Sequence, residues 1–426
     1  MRVCVFDDRF AEQLEPLTLT RPAFDLYCGL TPLLDKHARR FGATDLGLLV
    51  KPALADLARR DHPFRPVNDL FWLHAAPTIL VNGRWLPPSG LADLPLSPHV
   101  GMVGGQVAYA VLPPHLLTYC SPNTVDDCLE TWRATLPPQP AGGNMIDYPW
   151  QLVEQNAAQI EADFPWRTCS LDHGYFHPTS LTIVGPEDSL SVHPTAQIDP
   201  EVVADTRLGP VVIDREAQVQ SFSRLIGPCY IGPRTIVSGA KVRGSTIGPV
   251  CRIAGEIEAS ILQGHANKQH EGYLGHSYLG SWVNMGAGTQ TADLRLDYHP
   301  IRVRVGDVEV ETASRKVGSF IGDHTKVGLG CLLDAGSVVG AFAVLLAGPG
   351  LLPRYVPSFC MAVRGEVLTN DGLAGHMSTA AEVMRRRDWV FTPVHEGVYR
   401  SAHEATAGIR NALLRQRANL RMRRTG

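Results

Sequence analysis

Aliphatic residues recur every six positions in two stretches of this 426-residue chain. The first stretch contains Ile213, Val219, Leu225, Ile231 and Val237, and the second contains Ile321, Val327, Leu333, Val339, Leu345 and Leu351. A period of six fits neither a 3.6-residue helix nor a two-residue strand alternation, but it fits short strands that each point one aliphatic side chain into a shared prism. The pattern therefore predicts a parallel β-helix. Because each coil buries its inward row only by stacking on its neighbours, we expect one continuous solenoid from about Ser191 to Leu352.

Composition narrows the class of protein. Hydrophobic residues make up 44% of the chain, charged residues 19%, and the net charge is -3, which is ordinary for a globular protein and gives no sign of a nucleic-acid partner. The sequence shows neither a secretory signal nor an apolar run long enough to span a membrane, so we expect a cytoplasmic protein without a membrane partner. The nine cysteines form no CxxC pair, which favours reduced thiols over disulfides or a zinc site.

The order of elements along the chain predicts two main domains. Short apolar runs alternate with helical stretches over the first 140 or so residues, which is typical of an α/β domain with a largely parallel sheet. The predicted segments are an α/β domain at 1–142, a linker helix region at 143–182, a β-helix domain at 183–360 and a basic helical tail at 361–426. Charged residues alternate with Val and Ile between Asp293 and Lys316, which indicates a hairpin that interrupts the solenoid. For the tail we expect a solvated basic helix, with anion binding as the alternative.

The segment from 267 to 298 lies between the two hexad stretches and carries the chemistry. It is rich in His, Asn, Tyr and Gly. The prism of a β-helix is narrow, so we expect these large polar side chains to point outward, where a cleft between two prisms suits a long, thin ligand. Histidine accepts a proton near neutral pH, as required when an amine attacks an acyl group. His270 and His276 are therefore candidates for a general base.

The spacing within this segment resembles a known family. The residues that carry the resemblance are His270, Tyr273, Leu274, Gly275, Asn284 and the turn Gly286 to Thr289. They match the acetyltransferase half of the bifunctional N-acetylglucosamine-1-phosphate uridylyltransferase and glucosamine-1-phosphate N-acetyltransferase family, and the chain resembles the alternate bacterial branch of that family. The resemblance implies a left-handed β-helix, a homotrimer, acetyl-CoA as co-substrate, His270 as the base, and Tyr273 and Asn284 as ligands of the sugar phosphate.

Some positions depart from the more common form of the family. That form has an Asn nine residues after its sugar-binding Asn and a Lys six residues further on, whereas this chain has Asp293 and His299. The alternate branch tolerates the Asp, so we retain Asp293 as a substrate-binding candidate. Arg295, Arg302 and Lys268 are the candidates that hold the sugar phosphate instead of the missing Lys, each weighed against an ordinary solvated charge.

The N-terminal half resembles sugar-nucleotide pyrophosphorylases. A predicted strand at Val3 to Phe6 precedes Asp7 and Asp8, and Arg21 lies where the family uses a Lys against phosphate. The Gly-rich nucleotide loop of the family is absent, and Asn82 occupies the place of a metal-binding Asp. By this resemblance Arg21 and Asn82 bind the nucleotide and Asp7 or Asp8 holds Mg²⁺. The alternative is that the two acids form a turn or a helix cap.

The leading hypothesis is therefore a transferase with two activities. These are acetyl transfer from acetyl-CoA to glucosamine 1-phosphate and uridylyl transfer from UTP to N-acetylglucosamine 1-phosphate, which together make UDP-N-acetylglucosamine. One alternative is a sugar-1-phosphate nucleotidylyltransferase with a structural β-helix. The other is a non-catalytic sugar-nucleotide-binding protein. The sequence leaves the sugar and the nucleotide base open.

Overall fold

The computed structural model describes residues 2–168, 180–370, 372–413 and 415. The chain divides into two compact units. The first comprises Met1–Leu14, Thr18–Leu26 and Thr31–Tyr148, and the second comprises Glu15–Leu17, Tyr27–Leu30 and Pro149–Gly426. Within the described residues, no helix has the length and apolar character needed to cross a membrane.

A six-stranded mixed sheet forms the centre of the N-terminal unit. Its strands lie in the order Asp45–Leu49, Arg2–Phe6, Thr78–Asn82, Gln106–Leu112, His99–Val103 and Pro138–Pro140. The first three strands in this order are parallel. The sheet is not parallel throughout, because a tight turn with positive φ at Gly104 and Gly105 joins His99–Val103 to Gln106–Leu112 as an antiparallel hairpin. The predicted α/β layer is thus confirmed, with a hairpin that the apolar runs did not reveal.

Short helices cover this sheet. They are Leu33–Phe41, Ala55–Asp61, Leu70–His74, Pro114–Leu117 and Val125–Thr135, with single 3-10 turns at Arg9–Leu14, Ala23–Asp25 and Pro52–Leu54. A small antiparallel pair joins Trp85–Leu86 to Asn144–Met145. On one side of the sheet, Phe6, Leu80 and Val100 pack with Trp132 in a buried apolar cluster.

Three parallel sheets form the faces of the solenoid in the C-terminal unit. Face A contains Leu181–Val184, Val202–Asp205, Arg224–Ile226, Lys241–Arg243, Glu256–Glu258 and Tyr273–Gly275, with Gln290–Thr291 paired to Leu332–Leu333 further along. Face B contains Leu190–Val192, Val211–Ile213, Cys229–Ile231, Thr246–Ile247, Ile261–Leu262, Tyr278–Leu279, Phe320–Ile321, Val338–Val339 and Tyr355–Val356. Face C contains Gln197–Ile198, Gln218–Val219, Ile236–Val237, Arg252–Ile253, Asn267–Lys268, Asn284–Met285, Lys326–Val327, Val344–Leu345 and Cys360–Val363, and the antiparallel strand Glu366–Thr369 ends it. This architecture confirms the predicted parallel β-helix.

The predicted inward row is buried with one exception. The other ten aliphatic residues of the two hexad stretches are at most 2% exposed and belong to one continuous core. Leu351 is 57% exposed, and Leu352 takes the inward place. The prediction for Leu351 is wrong because Val339 pairs with Val356, seventeen positions later, whereas Ile321 pairs with Val339 after the eighteen positions of three full hexads.

Shorter coils explain why the hexad pattern is lost in the middle of the solenoid. On face B, Ile231 pairs with Ile247, Ile247 with Leu262, and Leu262 with Leu279, which are steps of sixteen, fifteen and seventeen residues. The solenoid continues through this region although the sequence period does not. The predicted interruption also occurs, as an antiparallel hairpin of Arg302–Val305 and Val308–Glu311.

A stacked row of rings runs along the corner between faces B and C, and we call it the corner ladder. Its members are His265, Trp282, His324, Phe342 and Phe359, all with positive φ. Neighbouring rings are stacked, with centroid separations of 4.1, 6.0, 4.8 and 4.9 Å along the row. Stacked aromatic rings of this kind add attraction beyond the burial of their area, so the ladder stabilises the sharp corner of five successive coils.

The C-terminal helices Leu373–Arg385 and Pro393–Ala405 pack on this corner ladder. Trp389 meets His265 edge-on at 5.0 Å, and Tyr399 meets His324 at the same separation, with its hydroxyl 2.8 Å from His324 Nε2. The expectation of a solvated helix is therefore wrong for this part of the tail, and positions 414 and 416–426 lie outside the described residues. A third helix, Pro149–Thr168, packs Ile160 against Val212 and Tyr230 of face B.

Candidate active site

Four polar residues form a column along the outside of face C. Parallel pairing places Arg252 beside Asn267, Asn267 beside Asn284, and Asn284 beside Lys326. Adjacent strands in a sheet lie about 4.8 Å apart, so these side chains are direct neighbours. Asn267 Nδ2 donates a hydrogen bond of 2.7 Å to Asn284 Oδ1. Residues spread over 75 positions of sequence therefore share one surface.

This column forms one wall of a cleft of about 420 Å³. The remaining lining residues are His265, Gln269, His270, Trp282 and Val283 of the solenoid and Thr379, Val383, Arg386 and Arg387 of the C-terminal helical segment. His270 reaches the cleft because it follows the strand Asn267–Lys268 at the turn that leaves face C. The structure thus brings together two of the predicted site residues, His270 and Asn284.

The cleft is strongly cationic. Arg252, Lys326, Arg386 and Arg387 line it, and none of its lining residues is Asp or Glu. Burial and then the positive charges of Arg252 and Arg386 lower the pKa of Arg387, and burial lowers the pKa of Lys326 to about 8. Like charges gathered without a carboxylate repel one another, and an anionic ligand relieves that repulsion. The arrangement is therefore suited to a phosphate.

Sequence reasoning missed all four of these cations. Arg252 and Lys326 can be assigned to the column only when the coil lengths are known, and those lengths vary between fifteen and twenty-one residues outside the insertion. Arg386 and Arg387 stand more than 100 positions from His270, in the segment expected to be solvated. The alternative interpretation of the tail, anion binding, was the only sequence signal that pointed to them.

Lys268 occupies an inward position of the prism. It is in register with Ile253 of the core and is only 2% exposed. Its Nζ donates to the main-chain oxygens of His270 at 2.7 Å and Ala254 at 3.2 Å. The structure corrects the prediction that Lys268 holds the sugar phosphate, because its ammonium is enclosed in the coil and does not line the cleft. It supports the turn that carries His270.

Tyr273 and Asp293 form a separate group with His276. The Tyr273 hydroxyl donates to Asp293 Oδ2 at 2.7 Å, and His276 Nδ1 lies 2.6 Å from the same oxygen. Burial opposes ionisation of Asp293, but the hydrogen bonds from His276 and Tyr273 outweigh it and lower its pKa. None of the three residues lines the cleft of His270. The predicted contacts of Tyr273 and Asp293 with substrate stay predictions, and the structure shows both groups bonded to each other.

The predicted phosphate ligands Arg295 and Arg302 lie on the insertion. Both are exposed, and Arg295 Nε donates to Asp297 Oδ1 at 2.8 Å. Arg302 lies 3.6 Å from Glu311 across the hairpin. Neither residue lines the cationic cleft. Exposed ion pairs of this kind contribute little to binding or stability, so their assignment to phosphate gains no support from the geometry.

In the N-terminal unit, the first strand ends at Phe6, which places Asp7 and Asp8 just beyond the carboxyl end of that strand. Asp8 is 4% exposed and accepts hydrogen bonds of 2.7 Å from both Nε and Nη2 of Arg84. Asn82 Nδ2 donates to the same carboxylate at 2.8 Å. Arg21 lies half-buried just before the 3-10 turn Ala23–Asp25 and is not among the lining of the pocket at Asp8 and Asn82.

The carboxylate of Asp7 is hydrogen-bonded to the main chain. Both of its oxygens accept from the amide of Ala23, at 3.2 and 3.1 Å. Burial raises the pKa of Asp7 to about 7, although the Ala23 hydrogen bond opposes the shift. Asp7 therefore carries only part of a negative charge at neutral pH. The prediction that Asp7 or Asp8 holds Mg²⁺ does not fit this arrangement, because the oxygens of both acids are already bonded within the protein.

The buried ammonium of Lys268 generates a prediction on stability. Burial lowers its pKa to about 8 from an ordinary 10.5, with Glu271 opposing the shift. Between these values the unfolded chain binds more protons than the folded chain, so this residue makes the free energy of unfolding rise with pH from about 8 to about 10.5. We expect Lys268→Met to lose that part of the rise in urea denaturation measured across this pH range. Lys326→Met serves as the comparison, since it removes a second lysine of lowered pKa from the cleft. Parallel pH curves for the wild type and Lys268→Met contradict the prediction.

Comparison with known proteins gives one family match and several sequence relatives. Residues 3–170 match the family model described as sugar nucleotidyl transferase. A bifunctional sugar-1-phosphate nucleotidylyltransferase/acetyltransferase of Sulfurisphaera tokodaii is 30% identical over 152 residues, which covers 33% of this chain and 36% of the relative. The bifunctional protein GlmU of Methanococcus vannielii is 33% identical over 121 residues, with 28% and 27% covered, and that of a Synechococcus strain is 31% identical over 221 residues, with 43% and 30% covered.

The alignments span only about a third of the length of these three relatives. One solved structure, the polysialic acid O-acetyltransferase OatWY, covers 45% of this chain and 89% of its own at 13% identity, but its TM-score of 0.20 is too low to support an argument. The comparisons thus give a match of residues 3–170 to the sugar nucleotidyl transferase model and sequence similarity to bifunctional relatives, one of them named a sugar-1-phosphate nucleotidylyltransferase/acetyltransferase, beside the parallel β-helix that the structure shows.

Proposed function

We propose that the C-terminal unit transfers an acetyl group from acetyl-CoA to the amino group of glucosamine 1-phosphate. The observation that carries this proposal is the cleft in which His270 and Asn284 lie together with four cations and no carboxylate. Its volume of about 420 Å³ is within the range of about 300–1,000 Å³ usual for small-molecule sites. The name of the Sulfurisphaera tokodaii relative, which combines a sugar 1-phosphate with acetyl transfer, supports the same reaction class.

The side chains divide the reaction between them. Arg252, Lys326, Arg386 and Arg387 attract the phosphate, and guanidinium groups suit its planar pairs of oxygens. The amine nitrogen attacks the acetyl carbonyl carbon while His270 takes the amine proton. The carbon–sulfur bond then breaks, and the proton held by His270 passes to the departing thiolate. Asn284 can orient the sugar through its amide, which Asn267 already holds at 2.7 Å.

The role of His270 predicts a large loss of turnover on substitution. We expect His270→Ala to lower the rate of thiol release from acetyl-CoA with glucosamine 1-phosphate by roughly 100-fold or more, the usual contribution of a general base. His276→Ala is the matched control, because His276 is bonded to Asp293 outside the cleft and its loss should have a smaller effect. Equal rates for His270→Ala and the wild type would exclude His270 as the base.

The cationic wall predicts a selective effect on substrate binding. Arg387→Ala should raise KM for glucosamine 1-phosphate by about 10- to 100-fold, because a hydrogen bond to a charged group is worth about 1.5–3 kcal/mol. Arg385→Ala is the matched control, since Arg385 is two positions away, exposed, and paired with Glu382 at 2.8 Å. The KM for glucosamine without phosphate should be unchanged in both variants. A kcat effect without a KM effect contradicts the assignment.

We also propose that the chain forms a homotrimer, as the resemblance implies. Support comes from four exposed leucines on the last coils of the solenoid, at positions 329, 332, 346 and 351. Apolar side chains concentrated on one surface are typical of protein interfaces. If the acetyl-transfer cleft is completed by a neighbouring subunit, dilution to monomers should abolish thiol release while the monomer stays folded. Sedimentation velocity measured beside activity decides this, and a fully active monomer contradicts a shared site.

A second activity is proposed for the N-terminal unit, in agreement with the family match at residues 3–170. It is uridylyl transfer from UTP to N-acetylglucosamine 1-phosphate with release of pyrophosphate, with Arg21 as the candidate phosphate ligand. The alternative functions remain distinguishable by assay. Thiol release separates the acetyltransferase from a nucleotidylyltransferase with a structural β-helix, and pyrophosphate release separates both nucleotidyl-transferring proteins from a binding protein. We place these activities in the cytoplasm, and the eight described cysteines, all free thiols, suit a reducing compartment.

A further inference from the structure

Arg84 is the most deeply buried cation of the N-terminal unit. Its side chain is 0% exposed, and it follows the strand Thr78–Asn82. A guanidinium has five N–H donors. Nε and Nη2 donate to the two oxygens of Asp8, Nη2 also donates to Gln106 Oε1 at 2.8 Å, and Nη1 donates to Asp147 Oδ1 and the Ile146 carbonyl, both at 2.9 Å. Every donor of Arg84 therefore has an acceptor inside the protein.

The acceptors around Arg84 resemble the ligand set of a divalent metal. They are five oxygens from carboxylates, an amide and a main-chain carbonyl, and hard oxygen donors of these kinds are the ligands that Mg²⁺ prefers. They come from three places in the chain: the end of the first strand, the start of the strand Gln106–Leu112, and the segment just after Met145. The cation at their centre is a guanidinium that belongs to the chain itself.

The two polar side chains next to Asp8, Asn82 and Asp7, are also hydrogen-bonded within the protein. Asn82 presents its Nδ2 to Asp8, and its Oδ1 accepts from the Arg84 amide at 3.0 Å, so its oxygen is turned away from the carboxylate. Both carboxylate oxygens of Asp7 accept from the Ala23 amide. In the part of the chain that the structure describes, no group of three His, Cys, Asp or Glu side chains could hold a metal.

The charge of Arg84 and the volume of the pocket beside Asp8 also argue against a metal ion bound there. Burial opposes the charge of Arg84, but the carboxylates of Asp8 and Asp147 more than offset it and raise the pKa of the guanidinium, so the cation is permanent. The pocket beside Asp8 and Asn82 has a volume of only about 160 Å³, and Asp126 and Glu130 in its lining are bonded to Arg9. Small-molecule sites usually measure about 300–1,000 Å³. The volume of this pocket is below that range.

We propose that Arg84 is a built-in cation that takes the place of a divalent metal ion in the N-terminal unit. The acids at the strand ends then bind no Mg²⁺, and the unit carries out no nucleotidyl transfer that depends on a metal held by them. The proposal is independent of acetyl transfer in the C-terminal unit. It contradicts the second proposed activity only if that activity depends on a metal ion held by these acids.

Binding of Mn²⁺ to the full-length protein tests the proposal directly. Free Mn²⁺ gives an electron paramagnetic resonance signal that is lost on binding. We expect the signal in the presence of the wild-type protein to equal that of buffer up to millimolar Mn²⁺. Removing the guanidinium leaves the oxygens of Asp8, Asp147 and Gln106 without their cation, so Arg84→Ala should gain a Mn²⁺ site. Adding Asp8→Asn to that variant should remove it again.

Two outcomes of the Mn²⁺ measurement overturn the proposal. One is a wild-type protein that binds Mn²⁺ and loses the binding in Asp8→Asn, and the other is a folded Arg84→Ala variant that binds none. Circular dichroism checks the fold, and Arg84→Gln replaces the variant if the alanine form is unfolded, because it removes the charge and keeps an amide donor. Asp93→Asn, which changes an acid outside the Arg84 contacts, is the matched control for Asp8→Asn.

An activity measurement separates this inference from the acetyltransferase proposal. Any pyrophosphate release from UTP and N-acetylglucosamine 1-phosphate, the second proposed activity, should not depend on a metal ion held by Asp8, and chelation with EDTA should leave thiol release from acetyl-CoA unchanged. Magnesium-dependent pyrophosphate release that Asp8→Asn abolishes refutes the role of Arg84. Failure of thiol release alone refutes the acetyltransferase proposal and leaves the inference about Arg84 standing.

Discussion

Burial of one inward side chain from each short strand is the interaction on which the C-terminal unit depends. An isolated coil leaves this row exposed, so the strands must stack in parallel and in register. The same register lines up the outward residues. Arg252, Asn267, Asn284 and Lys326 share a surface because Ile253, Lys268, Met285 and Val327 share the prism beneath them. The strand register that packs the core therefore also aligns the residues of the cleft.

The sequence predicted the part of this geometry that repeats and missed the part that does not. Hexads predicted the solenoid and the burial of ten of eleven aliphatic residues. The spacing grouped His270 with Asn284, and both line one cleft, although their roles stay predictions. The position of Lys268 could not be predicted from its residue type. A lysine is expected on the surface, whereas the ammonium of this one is buried and donates hydrogen bonds to two main-chain carbonyls. The coil lengths of the central region follow from corner geometry, which no pattern of hydrophobic residues records.

Positive charge is handled in opposite ways in the two units. The donors of Arg84 are all bonded to internal oxygens, which makes it a structural cation. The cations of the cleft lie near one another without a carboxylate in the lining, and burial together with their mutual repulsion lowers the pKa of Arg387. A folded protein tolerates such a cluster at a cost in stability, and the cost is recovered when an anion binds. The cations of the cleft, which no carboxylate in the lining balances, therefore indicate a binding function more strongly than the buried pair of Arg84 and Asp8 does.

The corner ladder connects the fold to the chemistry. Its rings hold five sharp corners of the solenoid and at the same time form the platform on which the C-terminal helices pack, through Trp389 on His265 and Tyr399 on His324. These contacts bring Arg386 and Arg387 of the C-terminal segment to the cleft that His270 of the solenoid also lines. His265 and Trp282 belong to both structures, since they are rungs of the ladder and part of the cleft lining. Loosening the helices from the ladder would therefore withdraw half of the positive charge from the site while leaving His270 and Asn284 in place on the solenoid.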